Sequence, residues 1–243
     1  MIIRLFIITT TLLLSGCSDY EWGWYVLSPV TEQGQNNLKF LTHGFIDTIN
    51  VSVLSMLLAM FLGLIIAMLS LSKHWLPRAI NRVYVEVFRS IPVLVLLLWV
   101  YYGMPTLFEL SLNYFWAGVI TLSIAESAFM AEVFRGGIQA VPKGQHEAAK
   151  SLGFSNKDTM RYIILPQALK HMLPPLGNQF VYILKMSSLV SVIGLNDLTR
   201  RANELVTSEY LPLEIYSFLV LEYLILILLV SQAVRFLEKK LTM

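Results

Sequence analysis

The chain carries little charge and almost no cysteine. Of its 243 residues, 14% are charged and a single one, Cys17, is a cysteine. One thiol rules out a disulfide within the chain and any cysteine-rich metal site. There is no GxxxxGK[ST] stretch, hence no phosphate loop to hold ATP. No metal-ligand cluster and no nucleophile–base pair stands at a recognisable spacing, so no catalytic residue and no bound cofactor are expected. The histidines His43, His74, His146 and His171 are scattered over loops and span ends, where solvation is the ordinary state. A net charge of +2 gives no reason to expect nucleic acid as a partner. What the chain has in abundance is apolar surface: 56% of its residues are hydrophobic and its mean hydropathy is +0.64. A soluble chain is roughly one quarter charged, so the solvent here is membrane lipid over much of the surface.

A spanning helix needs roughly 20 mostly apolar residues. The expected class is therefore all-α, a polytopic membrane protein with five transmembrane helices. The first runs from Phe45 to Leu71, the second from Val83 to Tyr102 and the third from Phe115 to Phe134. The fourth, from Leu173 to Leu195, is interrupted by Pro174, Pro175 and Gly177. The fifth runs from Glu214 to Phe236. Lysine and arginine favour the cytoplasmic side. Lys73, Arg78 and Arg82 follow the first span, and six basic residues lie from Arg135 to Lys170. The segment 103–114 has none. This alternation places the C-terminus in the cytoplasm and residues 18–42 outside.

The start, MIIRLFIITTTLLLSGC, has one positive charge and then a short apolar run. As a helix, Ile2 to Leu14 is about 20 Å long, too short to span unaided. Residues 1–16 therefore read as an export signal, followed by an external segment 17–42 and a transmembrane domain 43–243. LSGC resembles a bacterial lipoprotein box, which would make Cys17 a lipidation site. An uncleaved short helix is the alternative, and both place Cys17 outside. Tyr20, Trp22, Trp24 and Tyr25 suit an aromatic belt at the outer interface, or else pack on the first span.

The loop from Arg135 to Lys170 is long but not disordered in composition. Pro142 suits a first helical position and Gly153 the residue after a helix end. Between them, Gln145, His146, Glu147, Ala148, Ala149, Lys150 and Leu152 are mostly good helix formers. Ser155 and Asp158 cap a second short helix, which Pro166 bends or ends. A short helix with small residues on one face fits a groove on another protein. It fits a lipid surface less well, lacking large anchoring residues.

EAAKSLG, Glu147 to Gly153, followed by ILP, Ile164 to Pro166, resembles the EAA loop of ATP-binding-cassette import permeases. Further stretches resemble the polar amino-acid subfamily: EVFRSIP (86–92), AEVFRGGI (131–138), PKGQHEAA (142–149), LPQA (165–168), PPLGNQF (174–180) and SLVSVIG (188–194). Lys185-Met186-Ser187 departs from the expected Lys-Asp-(Ser/Thr). The resemblance implies a bacterial inner-membrane permease that moves a polar amino acid by alternating access. Its loop, residues 145–150 with Leu152 and Gly153, would be a coupling helix on a cytoplasmic ATP-binding subunit that holds ATP and Mg. It also implies a second permease subunit, identical or related, and a periplasmic or extracellular amino-acid-binding protein. A self-powered secondary transporter or channel is the alternative function.

Polar residues inside spans are costly unless they face protein or water. The candidates for the solute path are Glu126 and Ser127 in the third span, and Asn178, Gln179, Lys185 and Ser187, with Ser188, in the fourth. The segment 174–179 is the expected solute-facing stretch. Glu126 or Glu222 could instead pair with Lys185, and Glu86 with Arg89 on a helix surface. Ser52, Ser55, Ala59 and Gly63, three or four apart, would let the first span approach a neighbouring helix closely.

Overall fold

The computed structural model describes residues 20–242, so the export-signal segment and Cys17 lie outside the described residues. Among the described residues there are helices and turns but no strand. In chain order the α-helices of five residues or more are α1 (Glu32–Thr42), α2 (Gly44–Ser70), α3 (Trp75–Ser90), α4 (Val93–Leu98), α5 (Met104–Phe108), α6 (Tyr114–Gln139), α7 (Lys143–Ser151), α8 (Leu165–Met186), α9 (Leu198–Glu209) and α10 (Pro212–Thr242), with a short turn of helix at Asn156–Asp158. Four long helical stretches can cross a membrane by length and composition: 32–70, 114–139, 156–193 and 212–240. The pair Trp75–Ser90 and Val93–Phe108 makes a fifth if it counts as one span.

That pair corrects the expected second span. No single helix runs from Val83 to Tyr102; the chain bends by 98° between α3 and α4. The cause is local. Ile91 and Pro92 are both extended, with ψ of 125° and 130°. The residue before a proline is pushed out of the helical region, and proline itself brings no N–H. A π-helical turn, Trp99–Gly103, then joins α4 to α5.

The fourth span departs in the opposite sense. Pro174, Pro175 and Gly177 sit inside an unbroken α8. The two prolines leave the carbonyls of Lys170 and His171 without helical donors. Both residues are exposed, so those carbonyls are not stranded in packed interior. The break comes later, in the 3-10 stretch Ser187–Ile193 and at Gly194 with φ 104°. Pro166, expected to bend or end the second short helix, stands in the first turn of α8, where a missing N–H costs little.

The centre of the bundle is α2 against α6. Thr48, Ser52, Ser55, Ala59, Gly63 and Ala67 form a buried stripe on α2. The Ser55 hydroxyl donates to the Val119 carbonyl at 3.4 Å, and the Ser123 hydroxyl to the Ser55 carbonyl at 3.3 Å. The expected close approach of the first span is thus present, with α6 as the neighbour. Around α6 the apolar core gathers Val51, Leu97, Leu122 and Val190.

At the end of the bundle that carries residues 20–42, the polypeptide folds back on α9 and α10. Val26 and Leu27 pack with Leu41, Leu205 and Ile215, so the segment leans on the last helices rather than on α2. The Tyr20 hydroxyl and the Gly23 amide both donate to the Glu214 carboxylate, each at 2.6 Å. Tyr20, Trp22, Trp24 and Tyr25 stay 38–59% exposed, with Trp22 stacked on Trp24 at 5.8 Å.

Asp197 caps α9 nearby, accepting from the Arg200 amide at 2.9 Å and facing the Tyr223 hydroxyl at 3.5 Å. It is fully buried. The Arg200 guanidinium is engaged by Glu204 and that of Arg201 lies over Phe40. Burial pushes the Asp197 carboxyl up to about 7. An unfolded aspartate titrates near about 3.9. With the folded value raised, the native state keeps a proton that the unfolded state has released between those pH values. The stabilisation is whole below about pH 4 and is lost as pH rises through about 7. Asp197→Asn keeps a capping oxygen and removes the titration. The Tm of the natural chain should fall relative to the variant across that window; parallel profiles would exclude the carboxyl as the cause.

Candidate functional site

Two places carry polar chemistry at the bundle surface. The first is α7. Ala149 is buried against the following turn while Glu147, Ala148 and Lys150 are exposed. Ala149 therefore seats the helix and does not face outward. The helix ends as a left-handed turn: Gly153 has φ 80°. The Gly153 amide donates to the Lys150 carbonyl at 3.0 Å, and the Phe154 amide to the Ala149 carbonyl at 3.1 Å. This paired closure is the Schellman motif, in which glycine avoids the steric cost of positive φ. No atom lies within 4 Å of a Cβ built on Gly153, so its role is conformational rather than a matter of close approach. Immediately before it, Leu152 is 76% exposed. It makes an apolar knob on a polar helix. Ser155 caps the next turn, accepting from the Asp158 amide at 3.2 Å.

The second place is a trough with α6 as its floor, α3 as one wall and α8 as the other. A cavity of about 520 Å³ lies between them, lined among others by Arg89, Phe129, Glu132, His171, Pro175 and Gln179. A second cavity of about 420 Å³ shares Arg89 and Glu132 with it and continues along α3 past Glu86, Arg82 and Arg78. On α8, His171, Pro175, Asn178, Tyr182 and Lys185 are all exposed. Their spacing of four, three, four and three puts them on one helix face. Polar and charged groups at mid-span do not face hydrocarbon unless paired or wet, so this face belongs against water or another subunit.

The candidate path residues divide between the two sides of α8 and α6. Asn178 and Lys185 are exposed and Gln179 is half-buried at the trough. Glu126, Ser127 and Ser187 are fully buried. The Gln179 amide donates to Glu126. Ser127 shares a 2.7 Å hydrogen bond with the Tyr84 hydroxyl, and the Ser187 hydroxyl donates to the Leu184 carbonyl at 2.8 Å. Ser188 is half-buried and donates to the Lys185 carbonyl at 2.7 Å. Gly177 lies against Val234 of α10, which takes the middle of the 174–179 stretch away from the trough.

The expected ion pairs are replaced by others. Among the described residues the salt bridges are Arg135–Glu132 and Arg200–Glu204. Lys185 pairs with neither Glu126 nor Glu222. Glu222 is 4% exposed, with neither carboxylate oxygen hydrogen-bonded. Arg89 does not pair with Glu86 but stands 4.9 Å over the Phe129 ring. Sequence reasoning missed Arg78, Arg82, Arg89 and Glu132 as trough residues. The available signal is the spacing of the three arginines, which puts them on one face of a helix. Hydropathy obscures it by dividing α3 between a loop and a span.

Comparison with known proteins agrees with this architecture. Residues 59–243 match the family model described as binding-protein-dependent transport system inner membrane component. The chain is 36% identical over 204 residues to the glutamine transport system permease protein GlnP of Escherichia coli (strain K12), covering 84% of this chain and 93% of that one. It is 34% identical over 204 residues to the arginine transport system permease protein ArtQ of Bacillus subtilis (strain 168), with the same coverage. Among solved structures it is similar to an amino acid ABC transporter crystallised with histidines. There the TM-score is 0.79 and the identity 39%, covering 84% of this chain and 94% of that one. The MetNI methionine ABC transporter, at TM-score 0.71 and 19% identity, shares the fold.

Proposed function

Because the chain belongs to the family of binding-protein-dependent transport system inner membrane components, we propose that it is the membrane subunit through which a polar amino acid enters a bacterial cell, driven by a separate ATPase. The observation that carries this is the exposed polar face of α8 opposite the arginines of α3. A chain with that face open in a bilayer lacks half of its channel, and a second permease subunit supplies the other half. Relatives named for glutamine and arginine transport support the solute class.

In this reading the loop 135–170 is cytoplasmic, residues 20–42 are external, and the C-terminus is inside. The α7 helix, with Glu147, Ala148, Lys150 and Leu152 exposed, docks on the ATPase as a coupling helix. Gln145 and His146 lie at its start. ATP and Mg reside on that partner, consistent with the absence of a phosphate loop here. An external amino-acid-binding protein delivers the solute on the side of residues 20–42, and a lipid on Cys17 would hold that segment at the outer leaflet. Alternating access follows when closing ATPases draw two coupling helices together.

The test is purification from the membrane with its attached chains, followed by ATPase assay in liposomes. An ATPase subunit should co-purify, and hydrolysis should rise with binding protein plus a polar amino acid. Solute uptake by this chain alone, driven by an ion gradient, would establish the secondary-transporter alternative and overturn the proposal.

A further inference from the structure

We infer that the trough is a carboxylate track, favouring amino acids of zero or negative net charge, with amide or acidic side chains, over cationic ones. The inference rests on the permease reading above and narrows its solute. Arg78, Arg82 and Arg89 fall within about 40° of one another around α3 at 100° per residue. The cavity they line holds four arginines against two carboxylates, and one of those, Glu132, is engaged by Arg135. Arg82 has no hydrogen-bond or ion-pair partner among the described residues. Arg78 gives its Nε only to the carbonyl of His74, the residue just before its own helix, at 3.3 Å. Arg89 is stacked on Phe129. Like charges on successive turns repel, and an anion between them relieves the repulsion. Guanidinium groups in a row match carboxylates as fork to fork.

Within the cavity Glu132 is engaged by Arg135, which leaves Glu86 outnumbered by Arg78, Arg82 and Arg89; the buried carboxylates lie elsewhere. Glu126 is sealed beneath Gln179, and Glu222 is buried in α10. On the opposite wall the exposed charge is Lys185. A polar trough with low-dielectric walls focuses the field of its own charges. That field draws the solute carboxylate along α3 and raises the energy of a second positive charge on its side chain. Because Arg89 and Glu132 line both cavities, the track is continuous from Gln179 to the end of the bundle that carries α7.

The experiment measures binding to the nucleotide-free complex of this subunit with its ATPase and partner permease, without the external binding protein, which selects first. Radiolabelled glutamine, glutamate and arginine are the probes. Glutamine and glutamate should bind at least about tenfold more tightly than arginine, since one charge-assisted hydrogen bond formed or one repulsion avoided is worth that ratio. Arg78→Gln with Arg82→Gln should weaken glutamate binding about tenfold and narrow the preference. Arg78→Lys with Arg82→Lys, which keeps the charge but loses the fork, should retain the preference over arginine with somewhat weaker glutamate binding, and shows that the fold survives change at these positions. Equal affinity for arginine, or an unchanged preference in the glutamine double variant, overturns the inference. So does phosphatidylglycerol co-purifying stoichiometrically and lost from that variant, which would make a lipid phosphate the occupant. A complex whose hydrolysis responds to no amino acid overturns the permease reading itself.

Discussion

Replacing Gly153 by aspartate should abolish solute uptake while the subunit stays in the membrane at normal abundance. Gly153 holds φ 80°, a conformation that costs a residue with a Cβ about 1–2 kcal/mol. That is a small fraction of a typical fold stability of about 5–15 kcal/mol, so the bundle should persist. The local effect is larger. The Gly153 and Phe154 amides close α7 onto Lys150 and Ala149; relaxing φ opens that closure and re-aims Leu152, the exposed apolar tip. Glu147→Lys should act similarly by a different route, reversing the charge on the exposed face. For both variants uptake should fall to background, with this subunit still detected in membranes by immunoblot. Normal uptake in both would remove α7 from the coupling mechanism.

Replacing Gly63 by leucine should produce the largest loss of stability. A Cβ at this position would lie 2.4 Å from the Met130 Cβ and 3.0 Å from the Ser127 carbonyl oxygen. Neither atom is the far end of a flexible side chain, so α2 and α6 must move apart. Overpacking of this kind costs about 1–3 kcal/mol. The small-residue stripe and the Ser55 and Ser123 hydrogen bonds loosen with it. For a chain of this size the Tm should drop by roughly 2–12 °C, measured by thermal unfolding in detergent. Leu64→Ala next to it, at a residue 48% exposed, should shift the Tm less. Equal shifts would mean that the α2–α6 contact is not the central packing interface.

Several features are legible in the amino-acid sequence because their physics is local. Helix α2 runs from Gly44 to Ser70 where the apolar run predicts a span from Phe45 to Leu71. The Ser52–Gly63 stripe announces a close helix contact by its spacing alone. Gly153 and the Ser155 cap are consequences of backbone geometry that a short window contains. The misreadings have equally local causes, weighed the wrong way. Pro92, with Ile91 before it, breaks a span that hydropathy draws as continuous. Pro174 and Pro175 leave a helix whole because the carbonyls they orphan belong to exposed residues, and exposure is set by neighbouring helices.

Composition and periodicity by themselves determined that this chain is helical and membrane-embedded. They also placed a short helix in the loop 135–170. Hydropathy and backbone preference are summed along the chain, so no tertiary information is needed to read them. Only the tertiary structure decided which polar residues face the trough. Glu126 and Asn178 are both polar residues within spans, yet one is sealed by Gln179 and the other is open. Arg78 and Arg82 look like loop charges and Arg89 like a residue of a span until α3 is seen as one helix packed beside α6. Which face of a helix is covered depends on helices distant in sequence, and that packing turned a scattered set of charges into one basic track.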